Sequence, residues 1–590
     1  MRRFVHALLT ASLLVGCTVA SDPTSGDDGP SPDAENAAIP APGKADSPFS
    51  SCQVSAALLW ANDPTVDAGA LKAGGVHTRA AKNIETVKSG ADGVLGTEDD
   101  VYFHNLQELD DVSWVGPVAL SQLTAKGGEH CAAAPEPTND VYFSPQATRA
   151  TSHLARAEQL IDSAQHTIDI AMYSFSDSGI MNALDRARQR GVEVRFVFEP
   201  AHADSSSPAG TTSAKIEALG IDVRFVNKIM HNKFIIVDGP RNDVFDALDG
   251  TLMTGSANWS NSAGTRYDEN TVLLRGTPRL LLQFQREFDL LWNNSRDFVS
   301  GPSFEEARGI PIEDWMLLDD PHANAAFTSS NFKLFENSYG PGFSVISGKN
   351  TVADVLVDLI KNAKSSIWVA SAHLRSRPVA EALLARHAED PNLDIRVYLD
   401  GQEYVAASTS AIEKAGLEDC VKNAGDSVSK QQSCYDKDYH WSYPLADAGI
   451  DLRFKHYAYR WYYTYAEQMH HKYFVIDGKI LASGSYNLSD NAEHATMDNM
   501  VVYQGGPYEP MVEDFVQNFD AIWQTGEGKF EPLLSEVQNG TSDVPIVYDS
   551  MALTWEQVTT LKQAIRDACT NVDSSDFFAH PEKHFYCQRP

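Results

Sequence analysis

The chain contains one short pattern twice, and this repeat constrains its fold more than any other feature. Each copy reads His-x-Lys-x4-Asp and is followed further along by Gly-Ser-x-Asn. The first copy is residues 231–238 with 255–258, and the second is residues 470–477 with 484–487. A short pattern alone is weak evidence, but two copies that each carry the same second element are not explained by chance. The repeat predicts two related halves.

The residues after each lysine predict a buried strand, because they are apolar and either β-branched or aromatic. Side chains two positions apart on a strand share a face, so His231 and Lys233 point the same way. The same holds for His470 and Lys472. The aspartate that closes each copy lies at an odd offset from its histidine, which places it on the opposite face. These two aspartates are therefore predicted to be structural.

The Gly-Ser-x-Asn segments predict a turn at a helix start. Backbone N–H groups, the serine hydroxyl and the asparagine amide there all offer donors to an anion. Together with the histidines and lysines, they suit a phosphate ester. The predicted phosphate ligands are Lys233, Ser256, Asn258, Lys472, Ser485 and Asn487, and the structural aspartates are Asp238 and Asp477.

The two halves also repeat in their secondary-structure pattern. From about residue 145, helical and strand patterns alternate, and the same order returns after residue 350. The second half is longer before its motif, which predicts an insertion at residues 401–443. The sequence thus predicts an α/β fold of two lobes with one pseudo-twofold site between them. Because both motifs lie in one chain, a monomer is expected.

The duplicated motif resembles the phospholipase D superfamily over roughly residues 145–530. This resemblance implies that each lobe is a mixed sheet flanked by helices, and that an acidic residue beyond Gly-Ser-x-Asn orients the histidine. It also implies a phosphohistidine on His231 and an acid and base role for His470, with no metal or other cofactor required for catalysis. The catalytic residues implied are His231, Lys233, Asn258, Glu269, His470, Lys472, Asn487 and Asp498.

Residues 1–17 predict an export signal of the lipoprotein type. Arg2 and Arg3 precede an apolar run too short to span a bilayer, and Gly16 stands directly before Cys17. The pattern predicts cleavage at Cys17 and a lipid anchor on the bacterial outer membrane or cell surface. An ordinary secretory signal is the alternative. Residues 18–50 lack large apolar side chains and predict a disordered tether.

Six cysteines remain besides Cys17, and fifteen pairings are possible among them. Export to an oxidising compartment favours disulfides over reduced thiols. Three pairs that are local in sequence would each close one plausible unit, and these are Cys52–Cys131, Cys420–Cys434 and Cys569–Cys587.

The cysteine pairs and the repeat divide the rest of the chain. Residues 51–132 predict a small, mainly helical module in which residues 109–120 resemble a helix-hairpin-helix. A structural or docking role is favoured over phosphate-backbone binding, because the surrounding residues are acidic. Within this module, Asp92, Asp99 and Asp100 would suit a structural calcium ion, or form a plain acidic turn. The predicted segments that follow are a first lobe (145–300), a linker (301–345), a second lobe (346–530) and a disulfide-stapled extension (531–590).

The substrate class is the least constrained part of the prediction. The formal net charge of −33 disfavours a nuclease, because binding of a phosphate backbone depends on clustered cations. The aromatic stretch 457–465 would suit a quaternary ammonium headgroup or a lipid interface, and an ordinary strand is the alternative.

We therefore expect a phosphodiesterase that releases or transfers the phosphatidyl group of phospholipids at a membrane surface, with phosphatidic acid as the product of hydrolysis. The alternatives are an endonuclease of the same superfamily, a phosphatidyltransferase of the cardiolipin synthase type, and a binding module without activity.

If Cys17 is lipidated, the full-length protein will stay with membranes until detergent is added. Cys17→Ser removes the acylated thiol, so this variant is expected in the soluble exported fraction, as measured by fractionation and immunoblotting. Ser21→Thr, which leaves Cys17 in place, is the control. Unchanged membrane association of the Cys17→Ser variant would contradict the anchor.

Overall fold

The computed structural model describes residues 48–131, 138–299, 308–437 and 439–589. The predicted export signal, Cys17 and nearly all of the predicted tether lie outside these ranges. In the part of the chain that is described, no helix combines the length and the apolar character needed to cross a membrane.

The N-terminal module is helical, as predicted. Ser50 begins its first helix with a capping box, since its hydroxyl accepts from the backbone N–H of Gln53 while the Gln53 side chain accepts from that of Ser50. The Cys52–Cys131 disulfide closes the module. Its helices are α1 (Ser51–Asn62), α2 (Ala68–Ala73), α3 (Thr78–Lys88), α4 (Leu106–Asp110) and α5 (Pro117–Gly127).

The acidic loop of this module binds its own backbone. One carboxylate oxygen of Asp99 accepts hydrogen bonds from the N–H groups of Ala91 (2.7 Å) and Asp92 (3.0 Å). Asp100 accepts from the N–H of Gly96 at 2.7 Å. Among the described residues, no group of three His, Cys, Asp or Glu side chains is placed to hold a metal. These are the contacts of an acidic turn, and the calcium interpretation gains no support from them.

The first lobe is built from residues 138–297. Its strands are β1 (Thr138–Ser144), β2 (Thr167–Met172), β3 (Glu193–Phe198), β4 (Asp222–Phe225), β5 (Ile229–Met230), β6 (Lys233–Val237), β7 (Thr251–Gly255), β8 (Glu269–Arg275) and β9 (Arg296–Asp297). Its helices are α6 (His153–Ser163), α7 (Ser178–Gln189), α8 (Ala201–Asp204), α9 (Thr212–Glu217), α10 (Asn261–Thr265) and α11 (Pro278–Asn293).

The second lobe and the C-terminal segment supply the remaining elements. The strands are β10 (Ala323–Phe327), β11 (Phe332–Asn337), β12 (Gly340–Val345), β13 (Ser366–Ser371), β14 (Asp394–Asp400), β15 (Asp451–Ala458), β16 (Lys472–Ile476), β17 (Ile480–Gly484), β18 (Thr496–Met497), β19 (Asn499–Gln504), β20 (Val544–Pro545), β21 (Val547–Thr554) and β22 (Tyr586–Cys587). The helices are α12 (Val352–Asn362), α13 (Arg377–Glu389), α14 (Ala407–Ala424), α15 (Val428–Tyr435), α16 (Ser442–Asp447), α17 (Asp490–Ala495), α18 (Glu509–Trp523), α19 (Phe530–Asn539), α20 (Trp555–Ala568) and α21 (Ser575–Ala579).

Each lobe is an eight-stranded mixed sheet with helices on its faces, and the two sheets have the same topology. The strand orders are β1-β8-β7-β6-β2-β3-β4-β9 and β10-β19-β17-β16-β13-β14-β15-β21. The motif strand β6 runs antiparallel to the central β2, and β16 runs antiparallel to β13 in the same way. Both motif strands are buried along their whole length, which agrees with their apolar sequences.

Three predicted boundaries are wrong because they miss edge strands. β1 begins the first lobe before residue 145, β10 lies in the predicted linker, and β21 lies in the predicted extension. β10 is a short Ala-rich strand without a clear alternation of apolar and polar residues, so its sequence carries little strand signal. The sheet of the second lobe therefore takes its two edges from segments on either side of the predicted lobe.

The predicted insertion and all three predicted disulfides are present. Helices α14 and α15 fill the insertion, and Cys420–Cys434 joins them. Cys569–Cys587 joins the residue after α20 to β22. The extension is tied to the second lobe at the sheet edge, where β21 pairs with β15, whereas this disulfide closes the extension on itself.

The aspartates that close the two motifs have the predicted structural role. The Asp238 carboxylate accepts from the backbone N–H groups of residues 165–167, the closest at 2.7 Å. Asp477 accepts from those of residues 364–366. Both aspartates adopt positive φ angles, 49° and 56°, a conformation that Asp tolerates better than most residues. Each aspartate fixes the end of the motif strand to the start of the neighbouring central strand.

Candidate active site

Reciprocal backbone pairing brings the two histidines to one place. The N–H of His231 donates to the carbonyl of Met497 (3.0 Å), and the N–H of His470 donates to the carbonyl of Asp268 (2.9 Å). In addition, β5 of the first lobe pairs parallel with β18 of the second. Each motif thus enters the site along a segment of the other lobe.

The acidic residues are exchanged between the lobes. Nδ1 of His231 lies 2.8 Å from a carboxylate oxygen of Asp498, and Nδ1 of His470 lies 2.8 Å from a carboxylate oxygen of Glu269. Both acids are fully buried. The sequence places each acid after the motif of its own half, whereas in the structure each acid serves the histidine of the other half. Neither half alone therefore contains both a motif histidine and the acid that contacts it.

The residue after each acid repeats this exchange. The Asn499 amide donates to the Asn232 side-chain oxygen at 2.7 Å. The Asn270 amide lies 3.1 Å from Nδ1 of His471. His471 is fully buried and also packs its ring against Tyr473, so it faces away from the site, as the strand alternation predicts.

The two serines hold the acids, which corrects their predicted role as phosphate ligands. The Ser256 hydroxyl donates to Glu269 at 2.6 Å, and the Ser485 hydroxyl donates to Asp498 at 2.7 Å. A hydroxyl has one proton to donate, and here it goes to a buried carboxylate. The Gly-Ser-x-Asn turns do precede short helices, α10 and α17, but their serines fix the carboxylates in place.

The two lysines remain available for an anion. Nζ of Lys233 donates to the His231 carbonyl at 2.6 Å. Nζ of Lys472 donates to the His470 carbonyl at 2.9 Å and also lies 3.2 Å from Nδ1 of the His470 ring. Burial lowers the pKa of Lys233 to about 7, with the charge of Lys472 as the next cause. Burial lowers the pKa of Lys472 to about 8. An anionic group between the two lysines would favour their charged forms and so raise both pKa values again.

The asparagines of the two turns occupy equivalent positions. The side-chain oxygens of Asn258 and Asn487 are buried and have no hydrogen-bond partner within the described ranges. The side chains of these asparagines are therefore not fully committed to holding the fold.

The two histidine–acid pairs hold different numbers of protons. Burial lowers the pKa of His231 to about 4. Burial acts to raise the pKa of Asp498, but its contacts with His231 and Lys233 lower it overall. Burial raises the pKa of Glu269 to about 8, and burial together with the Lys472 charge lowers that of His470. At neutral pH, His231 is thus neutral beside a carboxylate, whereas the His470–Glu269 pair retains a dissociable proton.

Sequence reasoning missed two further carboxylates that position the histidines. Glu199 accepts from the N–H of Met230 at 2.6 Å, and Asp400 accepts from the N–H of Met469 at 2.9 Å. Each lies at the end of the strand next to the central strand, and each binds the backbone just before a motif histidine. In the sequence, an acidic residue stands at the end of the same predicted strand in both halves, and this repeat could have identified Glu199 and Asp400.

A third missed group breaks the twofold symmetry. Nδ1 of His373 lies 2.8 Å from the buried carboxylate of Glu403, and Arg375 donates to the same oxygen at 2.8 Å. The charge of His373 contributes to lowering the pKa of His470, after burial and the lysines. Ser174 takes the equivalent place in the first lobe, so only the His470 side carries this pair.

The aromatic stretch before the second motif divides into two parts. Tyr457 and Tyr459 are buried at the end of β15, as the strand alternative predicts. Tyr463 is 66% exposed. Among the causes that raise the pKa of Tyr173, whose ring lies 4.6 Å from that of His231, an electrostatic contribution from Tyr463 comes after burial and Glu199. One aromatic side chain of the stretch is therefore exposed, as the lipid-interface interpretation requires.

Comparisons with known proteins agree with this geometry. Residues 158–292 and 356–523 match the family model described as cardiolipin synthase, PLD-like domain. A mitochondrial cardiolipin hydrolase of Chlamydomonas reinhardtii is 31% identical over 142 residues, which cover 24% of this chain and 57% of that protein. A mitochondrial cardiolipin hydrolase of Drosophila melanogaster is 28% identical over 152 residues, covering 24% and 58%. The chain thus spans less than two thirds of the length of these relatives.

Among solved structures, the phospholipase D family member Nuc from Salmonella typhimurium is 33% identical, with a TM-score of 0.23, and the match covers 28% of this chain and 100% of Nuc. The family model matches just over half of the chain and includes both motifs with their acids. This chain therefore belongs to the phospholipase D-like family described as cardiolipin synthase, PLD-like domain.

Proposed function

We propose that the chain is a phosphodiesterase that acts on phospholipids through a phosphohistidine intermediate. The observation that carries this proposal is the pair of exchanged histidine–acid contacts around two buried lysines. A phosphodiester needs a nucleophile, a proton donor for the leaving alcohol and compensation for the charge of the phosphoryl oxygens, and this set of residues offers all three.

In the first step, His231 is the nucleophile. Its Nδ1 is held by Asp498, so Nε2 is free to attack phosphorus. A bond forms between Nε2 and phosphorus, and the bond from phosphorus to the alcohol oxygen breaks. The His470–Glu269 pair, which retains a proton at neutral pH, gives that proton to the departing alcohol.

In the second step, His470 acts as a base. It takes a proton from water, whose oxygen bonds to phosphorus while the bond to Nε2 of His231 breaks. An alcohol in place of water would give phosphatidyl transfer by the same path. Lys233 and Lys472 hold the phosphoryl oxygens throughout, so we expect catalysis to need no metal ion.

Two features favour phospholipids over nucleic acid as the substrate. The formal net charge of −33 opposes binding of a polyanionic backbone. The exposed Tyr463 suits a lipid interface. The relatives named as cardiolipin hydrolases are consistent with a phospholipid substrate. A location at a membrane outside the cytoplasm follows from the predicted signal.

The substrate class can be tested by incubating the protein separately with mixed phospholipid vesicles and with plasmid DNA. Phosphatidic acid, or a transfer product when an alcohol is added, is expected from the vesicles, and the plasmid should stay supercoiled. His231→Asn is the control that removes the nucleophile. Plasmid nicking that disappears in this variant, without any lipid product from the intact protein, would reject the proposal in favour of a nuclease.

The two histidines should differ in their covalent chemistry. His231→Asn is expected to abolish both adduct and turnover. His470→Asn should lower turnover of a phospholipid by about 10²–10⁴-fold, the loss typical of a positioned proton donor. On an ester with a good leaving group, attack needs little protonation, so the adduct should accumulate on His231 in the His470 variant.

Mass spectrometry of acid-labile phosphopeptides locates this adduct. An adduct on His470 in the His231 variant would reverse the assignment. An adduct on neither histidine would reject covalent catalysis for this chain.

A further inference from the structure

A cavity of about 330 Å³ lies between the end of β15 and helix α20. Neither motif histidine nor motif lysine lines it. Its walls come from the residues that follow β14, from the end of β15 with the residues after it, and from the C-terminal segment, including Asp573. The cavity is therefore formed where the C-terminal extension packs on the second lobe.

Positive charge exceeds negative charge in this cavity. Arg460, Lys562 and Arg566 line it, against Asp573 as its one carboxylate. Asp573 accepts hydrogen bonds from Arg566 (3.1 Å) and Arg460 (3.3 Å). Lys562 donates to the carbonyl of Tyr459 at 2.8 Å, and burial lowers its pKa to about 8, which leaves it charged at neutral pH. Three cations thus share one carboxylate in a protein that is strongly acidic overall.

Three of the residues that line the cavity also carry buried hydrogen-bond donors without acceptors. The side-chain N–H groups at Nε2 of Gln402, Nη1 of Arg460 and Nε1 of Trp461 are buried, and each has no partner among the residues that the structure describes. Buried donors of this kind are nearly always satisfied in a folded protein. A cavity whose residues offer cations and unpaired donors, but few acceptors, suits the binding of phosphate oxygens.

Exposed aromatic rings surround this cationic cavity. The guanidinium of Arg460 lies 4.6 Å from the ring of Phe578, which is 72% exposed. The Tyr465 hydroxyl donates to the Arg460 carbonyl, and its ring lies 5.8 Å from that of the exposed Phe585. Tyr463 packs against Trp461 of the cavity wall, 4.4 Å between ring centroids. Aromatic side chains are enriched where proteins meet the headgroups of a membrane.

We propose that this cavity binds the phosphate of an anionic phospholipid while the surrounding aromatic side chains enter the headgroup layer. The C-terminal extension then docks the protein on an anionic membrane surface. A soluble phosphate would satisfy the cavity but would leave the exposed aromatic rings unexplained. The proposal goes beyond the catalytic one, since binding here needs no chemistry at either histidine.

Vesicle binding tests this proposal directly. The full chain is used with Cys17→Ser, so that a lipid anchor does not contribute, and co-sedimentation is measured with vesicles of phosphatidylcholine alone or mixed with phosphatidylglycerol. We expect at least tenfold tighter binding to the mixed vesicles. Arg566→Gln should remove most of this preference, because it removes one of the three cations that line the cavity.

Arg286→Gln is the matched control. The Arg286 side chain is 49% exposed and paired with Asp314, and that of Arg566 is 48% exposed and paired with Asp573, but Arg286 lies outside the cavity. Its substitution should leave the preference unchanged. Equal losses in the two variants would overturn the proposal, because they would show that binding follows overall charge.

Phe578→Ser separates a membrane from a soluble anion. This variant should bind vesicles more weakly and still bind inorganic phosphate as the unsubstituted chain does, which calorimetry measures. Vesicle binding that survives Phe578→Ser unchanged would overturn the proposal. Thermal unfolding midpoints show that each variant is folded. Because no readout depends on turnover, failure here is distinct from failure of the proposed catalytic function.

Discussion

The contact between each motif histidine and the acid of the opposite lobe is the interaction on which the rest of the structure depends. A buried carboxylate is strongly unfavourable unless it is paired or hydrogen-bonded. Asp498 and Glu269 are fully buried, and each finds its histidine only in the other half. The lobes must therefore come together for either acid to be satisfied. The backbone bonds to Met497 and Asp268 hold the lobes in the register that this exchange needs.

The duplicated site is not symmetric in its chemistry, although its backbone is. One pair uses Asp and the other uses Glu, whose pKa burial raises to about 8. His373 and Glu403 stand only beside His470. These differences supply what two identical surroundings could not, namely a neutral imidazole on one side and a retained proton on the other. Duplication provided two equivalent sets of residues. The different surroundings of the two motif histidines account for the different roles that we propose for them.

Much of the fold follows from local sequence patterns. The motif strands, the helices beside them, the insertion and the structural role of Asp238 and Asp477 were all predictable, since each depends on periodicity or parity along a short segment. The edge strands β10 and β21 were not predictable. An edge strand forms by pairing with its neighbour in the sheet, and its own sequence carries little signal. The exchange of Glu269 and Asp498 was not predictable either. Spacing shows which residues are present, but pairing between distant segments depends on how the lobes meet. For the same reason Ser256 and Ser485 were assigned to phosphate, although their protons go to the acids.

The most direct test of the exchanged site is a rapid-quench measurement of the covalent adduct in the two acid variants, with an ester that has a good leaving group. We predict that Asp498→Asn slows formation of the adduct on His231 by up to about 10⁴-fold, the loss seen when the acid that orients a catalytic histidine becomes an amide. Glu269→Gln, in the same half as His231, should leave formation nearly unchanged and slow the breakdown of the adduct. The opposite pattern, in which the acid of the same half controls formation, would contradict the exchange.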